Sequence, residues 1–312
     1  MKHYQNILYL MNPSSEGTAG LKQALSMARN SSAPLHLLML YPALPKEMQA
    51  HQEAFEAFFS ERMEASLKNA QEALGGEVVQ PTYETMMADS SPVVTITRYV
   101  LRYEYDLLVK EAEDTGGESG FKALDMSLLR KCPSTLYLAR PISHSREKIR
   151  VAVAVDPITQ SEDARDLNFR LLQAARSIAD SCSGVLDIIS CWEYPYEEFL
   201  RHNPWVKVTD EELSDAVTSF WSEHRAALDA LIADANIKGK NHIHHLRGEA
   251  SELIGQFVRD EKVDIMVMGT VARTGIAGFV IGNTAENVFE KLDCSLLALK
   301  PAGYVSPIKA YD

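Results

Sequence analysis

One segment of the chain combines residue types suited to holding an anion: Met268-Gly269-Thr-Val-Ala272-Arg273-Thr-Gly275-Ile-Ala-Gly278-Phe-Val-Ile-Gly282-Asn283-Thr284-Ala285-Glu286. It follows an apolar run, Asp264-Ile-Met-Val-Met268, that predicts a strand, and it leads into a predicted helix. Gly269 releases the chain from the strand, and Gly282, Asn283 and Thr284 fall where the helix starts. Asn283 or Thr284 can cap that helix, with Glu286 in its first turn. A helix start offers unpaired N–H groups and the positive end of the dipole, which suit a phosphate. Glycines let the backbone approach it closely. A plain strand-to-helix turn has the same composition, so the residues alone leave both readings open. The segment is not a Walker loop, because no Gly-Lys-Ser/Thr is present, and it follows too late a strand to be a Rossmann fingerprint.

Other reactive residue types are present. Asn241-His242-Ile-His244-His245 lies at a predicted strand, whose alternation puts His242 and His244 on one face. Such a pair suits zinc, but the sequence identifies no third ligand, and ordinary strand or surface histidines read the same way. Glu111-Ala-Glu-Asp-Thr-Gly-Gly-Glu-Ser-Gly120 is acidic, a solvated loop or a cation site, and Glu111, Glu113, Asp114 and Glu118 would repel a triphosphate. Trp192-Glu-Tyr-Pro-Tyr196 with Phe199, Trp205 and Trp221 reads as a lid or as loop-to-helix packing. Tyr41-Pro-Ala-Leu-Pro45 with Phe55, Phe58 and Phe59 reads likewise. Nothing in the sequence fixes a nucleophile beside a base, so no catalytic residue is assigned.

The elements that must position these residues occur twice. Tyr4-Gln-Asn-Ile-Leu-Tyr-Leu-Met-Asn12 and Lys148-Ile-Arg-Val-Ala-Val-Ala-Val-Asp156 are both apolar strands ending in a polar breaker. Asp106-Leu-Leu-Val-Lys110 matches Asp264-Ile-Met-Val-Met268, and Leu136-Tyr-Leu-Ala-Arg-Pro141 matches Leu296-Leu-Ala-Leu-Lys-Pro301. A helix precedes each Asp, one of them opened by Ser91-Pro92 as cap and first helical residue. Each half then reads strand, helix, strand, long helix, strand, helix, strand, short helix, strand. That alternation predicts an α/β fold with a doubly wound parallel sheet, whose ligands bind beyond the strand C-termini where the strand order reverses. The halves span 1–142 and 148–312 and join through Ile142-Ser-His-Ser-Arg-Glu147. Their last strands are wholly apolar, and a bare apolar edge invites aggregation. The two edges are therefore expected to face each other across a pseudo-twofold, as an internal pseudo-dimer.

The glycine segment resembles the nucleotide loop of the universal stress protein family, whose pattern is Gly-x2-Gly-x9-Gly-Ser/Thr. The resemblance covers both halves, the N-terminal one through its architecture and Leu128-Leu-Arg-Lys-Cys-Pro133. It implies two tandem flavodoxin-like domains of the adenine nucleotide alpha hydrolase type. It also implies ATP or another adenine nucleotide as ligand, with Mg2+ as an optional companion, and a role in stress resistance. By the same resemblance Gly269 and Gly282 stand at two of the three motif glycines, and Asn283 at the Ser/Thr position with Thr284 behind it. Asp156 stands at the acidic position facing the nucleotide, Ala154 at a backbone contact, and Cys191 at a position lining the adenine. Ala272 replaces the second motif glycine, where a Cβ crowds a phosphate or opposes a positive φ. Arg273 supplies compensating charge or is a solvated loop cation. The N-terminal half departs further, with Asn12 in place of the Asp and the acidic loop in place of the glycines, and reads as having lost the nucleotide site.

Composition limits the function classes. The 312 residues carry a formal net charge of −12 and show no basic patch, which argues against direct nucleic-acid binding. The apolar runs are strand-length, short of the roughly 18 residues of a membrane span. Ile7 to Met11 is too short for a signal-peptide core. Four cysteines, Cys132, Cys182, Cys191 and Cys294, lie scattered and are expected reduced. The expectation is a cytoplasmic nucleotide-binding module, with a slow ATPase in the same pocket or a non-nucleotide structural protein as alternatives, and homodimerisation left open.

Overall fold

The computed structural model of the chain describes residues 4–12, 18–75, 79–88, 91–142, 144–159, 161–203, 205–270 and 281–311. The first strand, β1 (Ile7–Met11), is buried along its whole length, as a continuous apolar run covered on both faces must be. It is followed by α1 (Ala19–Ser31), β2 (Leu35–Tyr41), the long α2 (Gln52–Ala73) and β3 (Thr82–Met87). Then come α3 (Pro92–Arg102), β4 (Leu107–Glu111), α4 (Ala123–Lys131) and β5 (Thr135–Ala139). The second half repeats the order with β6 (Arg150–Ala154), α5 (Glu162–Cys182) and β7 (Val185–Trp192). A short helix, α6 (Glu197–His202), is inserted before α7 (Asp210–Asp234) and β8 (Asn241–Arg247). The half closes with α8 (Ala250–Asp260), β9 (Ile265–Gly269), α9 (Asn283–Phe289) and β10 (Ser295–Leu299).

Among the described residues, the ten strands form one sheet in the order β3-β2-β1-β4-β5-β10-β9-β6-β7-β8. Pairing is parallel except at the centre, where β5 and β10 run antiparallel with Leu136, Tyr137 and Leu138 opposite Ala298, Leu297 and Leu296. The two apolar edges thus cover each other, as expected from their sequences. Both hydrophobic layers cross this joint. One face gathers Tyr9, Val109 and Tyr137 with Val153, Val267 and Leu297, and the other gathers Leu8, Leu108 and Leu136 with Met266, Leu296 and Ala298. Within each half the strand order reverses beside its first strand, between β1 and β4 and between β6 and β9.

The repeated Asp has a local cause. Asp106 accepts backbone N–H groups of Gln5 (2.8 Å) and Asn6 (3.0 Å), and Asp264 accepts that of Arg150 (2.8 Å) and meets His144 at 2.9 Å. Each carboxylate anchors the entry into the first strand of its half. Two helix starts differ from the sequence expectation. Ser91 is the N-cap of α3 and Pro92 its first residue, but the Ser91 side chain makes no capping bond. In α9 the N-cap is Gly282 rather than Asn283 or Thr284, again without a side-chain cap.

Further contacts cross the joint. The Gly120 N–H donates to the Leu292 carbonyl at 2.7 Å, and Gly120 has a φ of +90°. A Cβ there would lie 2.7 Å from the Glu290 carbonyl oxygen, so this position requires glycine. Arg130 of α4 pairs with Glu286 of α9, and the Lys300 ammonium donates to the Leu129 carbonyl while lying 4.5 Å from the centre of the Tyr304 ring.

Two outcomes follow from this joint. Expressed separately, residues 1–142 and 148–312 each expose the β5 or β10 edge and should self-associate; monomeric halves by size-exclusion chromatography would contradict the shared core. Burial lowers the Lys300 amine from 10.5 to about 8. The unfolded chain therefore binds more protons between those values, and this residue's penalty on stability fades as pH rises through them. Lys300→Met should remove a penalty of at most about 3 kcal/mol at pH 7. Its advantage over the parent in urea unfolding should shrink towards pH 10.5.

Candidate functional site at the carboxyl ends of β6 and β9

The half-buried Ala154 ends β6, and the next N–H, of Val155, still donates to Ile189 of β7 at 3.0 Å. The chain then turns at Asp156. Asn168, buried on α5, grips that turn from both sides: its amide oxygen accepts the Asp156 N–H at 3.3 Å and its amide nitrogen donates to the Asp156 carbonyl at 2.7 Å. The Asp156 carboxylate accepts the Ile158 N–H at 3.2 Å, an Asx turn that fixes the side chain at the strand mouth.

Gly269 ends the neighbouring β9. A Cβ there would lie 2.9 Å from a Leu167 methyl of α5, so glycine allows the helix and strand to pack closely. Thr270 donates its N–H to Leu299 at 3.1 Å and accepts that of Gly282 at 3.0 Å. The two ends of the glycine segment are thereby brought together. Gly282 is buried with φ −63° and ψ 142°, a conformation open to any residue, whereas Asn283 and Thr284 are exposed on the first turn of α9. Cys191 lies half-buried near the end of β7 and packs, with Ala154, against the same apolar layer. Burial, reinforced by Glu193, pushes its thiol up to about 12. It is a neutral wall rather than a nucleophile at ordinary pH. Ala272 and Arg273 lie outside the described residues.

The matching place in the first half is filled by its own side chains. One Glu113 carboxylate oxygen accepts the N–H groups of Leu124 (2.9 Å) and Asp125 (3.2 Å), in the first turn of α4. Asp125, fully buried, pairs with Lys110 and accepts the Glu113 N–H at 2.8 Å. A cavity of about 470 Å³ beside them is lined by Glu111, Glu113, Asp114, Glu118 and Asp293, with Arg140 the one cation among its described lining residues. A carboxylate of the chain itself thus occupies the helix start that a phosphate would use.

The remaining sequence signals separate as follows. His242 and His244 do share a face of β8, where they meet the buried Asp187 of β7. Trp192 packs against Phe220 and His245, and Phe55 and Phe59 pack on Tyr41, as core rather than lids. Tyr196, Phe199 and Trp205 are exposed. A second cavity of about 640 Å³ lies between α1 and α5, with Gln23, Asn30, Arg170, Gln173 and Lys300 on its wall, away from Asp156 and Gly269.

Comparison with known proteins decides the family. The model of the universal stress protein family matches the chain twice, over residues 3–140 and 149–300. The chain belongs to the universal stress protein family, as a tandem member. It is similar to the universal stress protein E homolog of Haemophilus influenzae, 26% identical over 96% of this chain and 98% of that one. It is 25% identical to universal stress protein E of Escherichia coli K12, over 100% of this chain and 99% of that one. Among solved structures, a protein of unknown function from Pseudomonas aeruginosa PAO1 superposes with a TM-score of 0.70 at 23% identity, over 96% of this chain and 93% of that chain. A universal stress protein from Archaeoglobus fulgidus superposes at 0.58 and 16% identity, over 95% of this chain and 96% of that chain. At these identities the structural likeness is one of fold. Among the described residues, no helix is long and apolar enough to cross a membrane.

Two residues that matter in this family member were not singled out from the sequence. Asn168 sits in an amphipathic helix where a polar residue on the apolar stripe was the available signal, and Asp187 is a carboxylate inside the apolar run Val185 to Trp192. Replacing Asn168 by Ala removes both bonds that hold the Asp156 turn. It should cost about 1–3 kcal/mol in urea unfolding, and an unchanged midpoint would show that the turn holds itself.

Proposed function

We propose that the chain is a cytoplasmic stress-resistance protein whose C-terminal half binds ATP or a related adenine nucleotide, while its N-terminal half acts as a structural partner. The observation that carries this reading is the convergence of Ala154, Asp156 and Gly269 at the carboxyl ends of β6 and β9, beside which the strand order reverses. In open α/β sheets that crevice is where ligands bind. Further support comes from the Gly282 N–H, which donates to the Thr270 carbonyl just beyond β9, with Asn283 next on the first turn of α9.

In this reading Asp156 receives a ribose hydroxyl or an Mg2+ ion, Cys191 and Ala154 form an apolar wall for the base, and the segment from Gly269 to Thr284, with Arg273, holds the phosphates. The N-terminal half is a poor host for a triphosphate because Glu113 already caps α4 and the surrounding cavity is acidic. Free thiols at all four cysteines favour a reducing compartment.

Calorimetric titration of the whole chain with ATP should give one site. Gly282→Val and Asp156→Ala should each weaken binding at least about tenfold, which is 1.4 kcal/mol, with unchanged far-UV circular dichroism. Two equal sites, or parental affinity in both variants, would remove the basis for the reading.

A further inference from the structure

We propose that the chain holds a divalent transition metal, with zinc as the fitting ion, on Asp187, His242 and His244 at the outer edge of the second half's sheet. The site is separate from the nucleotide mouth and does not rest on it. Asp187 and His242 are register partners on β7 and β8, and His244 follows two residues on, so all three side chains stand on one face. The Asp187 oxygen Oδ1 lies 2.8 Å from His244 Nε2 and 3.4 Å from His242 Nδ1, and all three ligand atoms fall within 4.8 Å of one another. A tetrahedral zinc with bonds of about 2.0–2.1 Å separates its ligands by roughly 3.3 Å, so small side-chain adjustments suffice.

The supporting groups fit a metal ligand set. The other Asp187 oxygen, Oδ2, accepts from the Arg150 guanidinium at 3.0 Å, which leaves Oδ1 directed at the histidines. Arg150 also bonds Glu261 at 2.6 Å, so the two carboxylates outnumber the one guanidinium. A cation offsets that excess, and a carboxylate oriented by an outer partner is the usual arrangement around a bound metal. Asp187 is fully buried, whereas the His242 side chain is 49% exposed and His244 27%, giving an ion a path from solvent.

The first half provides an internal control. Register places His36, Thr82 and Glu84 at the positions of Asp187, His242 and His244. There His36 contacts Thr82 Oγ1 at 2.8 Å and the Tyr99 hydroxyl at 2.7 Å, and that hydroxyl donates to Glu84 at 2.9 Å. The set closes as a hydrogen-bond network around Tyr99. In α8 the residue at the corresponding place is Phe257, whose ring centre lies 4.5 Å from that of His244. Phenylalanine has no hydroxyl to close a network. The second half has thus exchanged a closed polar set for two imidazoles and a carboxylate, the donor set that zinc prefers.

The test uses the full chain, stripped with a chelator and titrated with zinc sulfate against a chromophoric competitor, and in parallel with cobalt(II). The parent should bind one zinc that His242→Gln and His244→Gln each weaken at least tenfold. The cobalt(II) form should show the visible d–d bands of a tetrahedral site, which both variants lose. His202→Gln, at an exposed histidine on α6, should behave as the parent. His242 is half-exposed on the edge strand, so its variant keeps the fold, which circular dichroism verifies. Equal zinc affinity and equal cobalt(II) spectra in parent and both variants would overturn the proposal, whatever zinc binds elsewhere, and so would a parent that binds no zinc.

Discussion

The antiparallel pairing of β5 with β10 is the contact on which the rest of the molecule depends. Each strand alone is an unpaired apolar edge, and together they are the centre of a ten-stranded sheet. Because side chains alternate across a strand, the single register of Leu136, Tyr137 and Leu138 opposite Ala298, Leu297 and Leu296 also aligns both hydrophobic layers across the joint. Helix packing follows from that alignment, as do the contacts of α4 with α9 and with the C-terminal segment. Reversal of strand direction at the joint also turns the carboxyl edge of one half to the opposite side from that of the other, so the two mouths do not share a surface.

The halves differ in which of the chain's own groups stand at equivalent places. At the strand mouths the first half supplies Glu113 to its own helix start, whereas the second keeps a glycine segment. On the sheet face near the outer strands, the first half closes its polar residues around Tyr99, whereas the second places Phe257 there and leaves imidazole nitrogens facing a carboxylate oxygen. A repeat allows this, because the scaffold needs the strands and helices of both copies but not the chemistry of both.

Much of the fold was legible in the sequence because its signals are local. Apolar runs ending in breakers gave the strands, and their alternation with helical stretches gave the parallel, doubly wound order. The matching Asp106 and Asp264 marked equivalent points of the repeat, and the structure shows them anchoring the chain before each first strand. The pairing of the two last strands was inferable because an apolar edge must be covered. What the sequence concealed depends on partners distant in the chain. Asp187 meets His242 only through the register of β7 and β8, and Asn168 reaches Asp156 only once α5 has folded back on β6. The start of α9 was displaced because the Gly282 N–H is held by Thr270. The backbone bonds of Gly282 to Thr270 and Glu286 mark that boundary, and no side-chain cap does.

The shared core has a thermodynamic corollary. With both apolar layers continuous through β5 and β10, neither half can separate without exposing apolar surface of the other, so the unfolding of the two halves is coupled. A ligand that recognises only the folded state raises the unfolding free energy of the coupled halves, by an amount set by its concentration relative to its dissociation constant. Against openings that break the joint, occupancy on one side would therefore also stabilise α2 and β3 at the far edge of the sheet, whereas their local fraying would be unaffected.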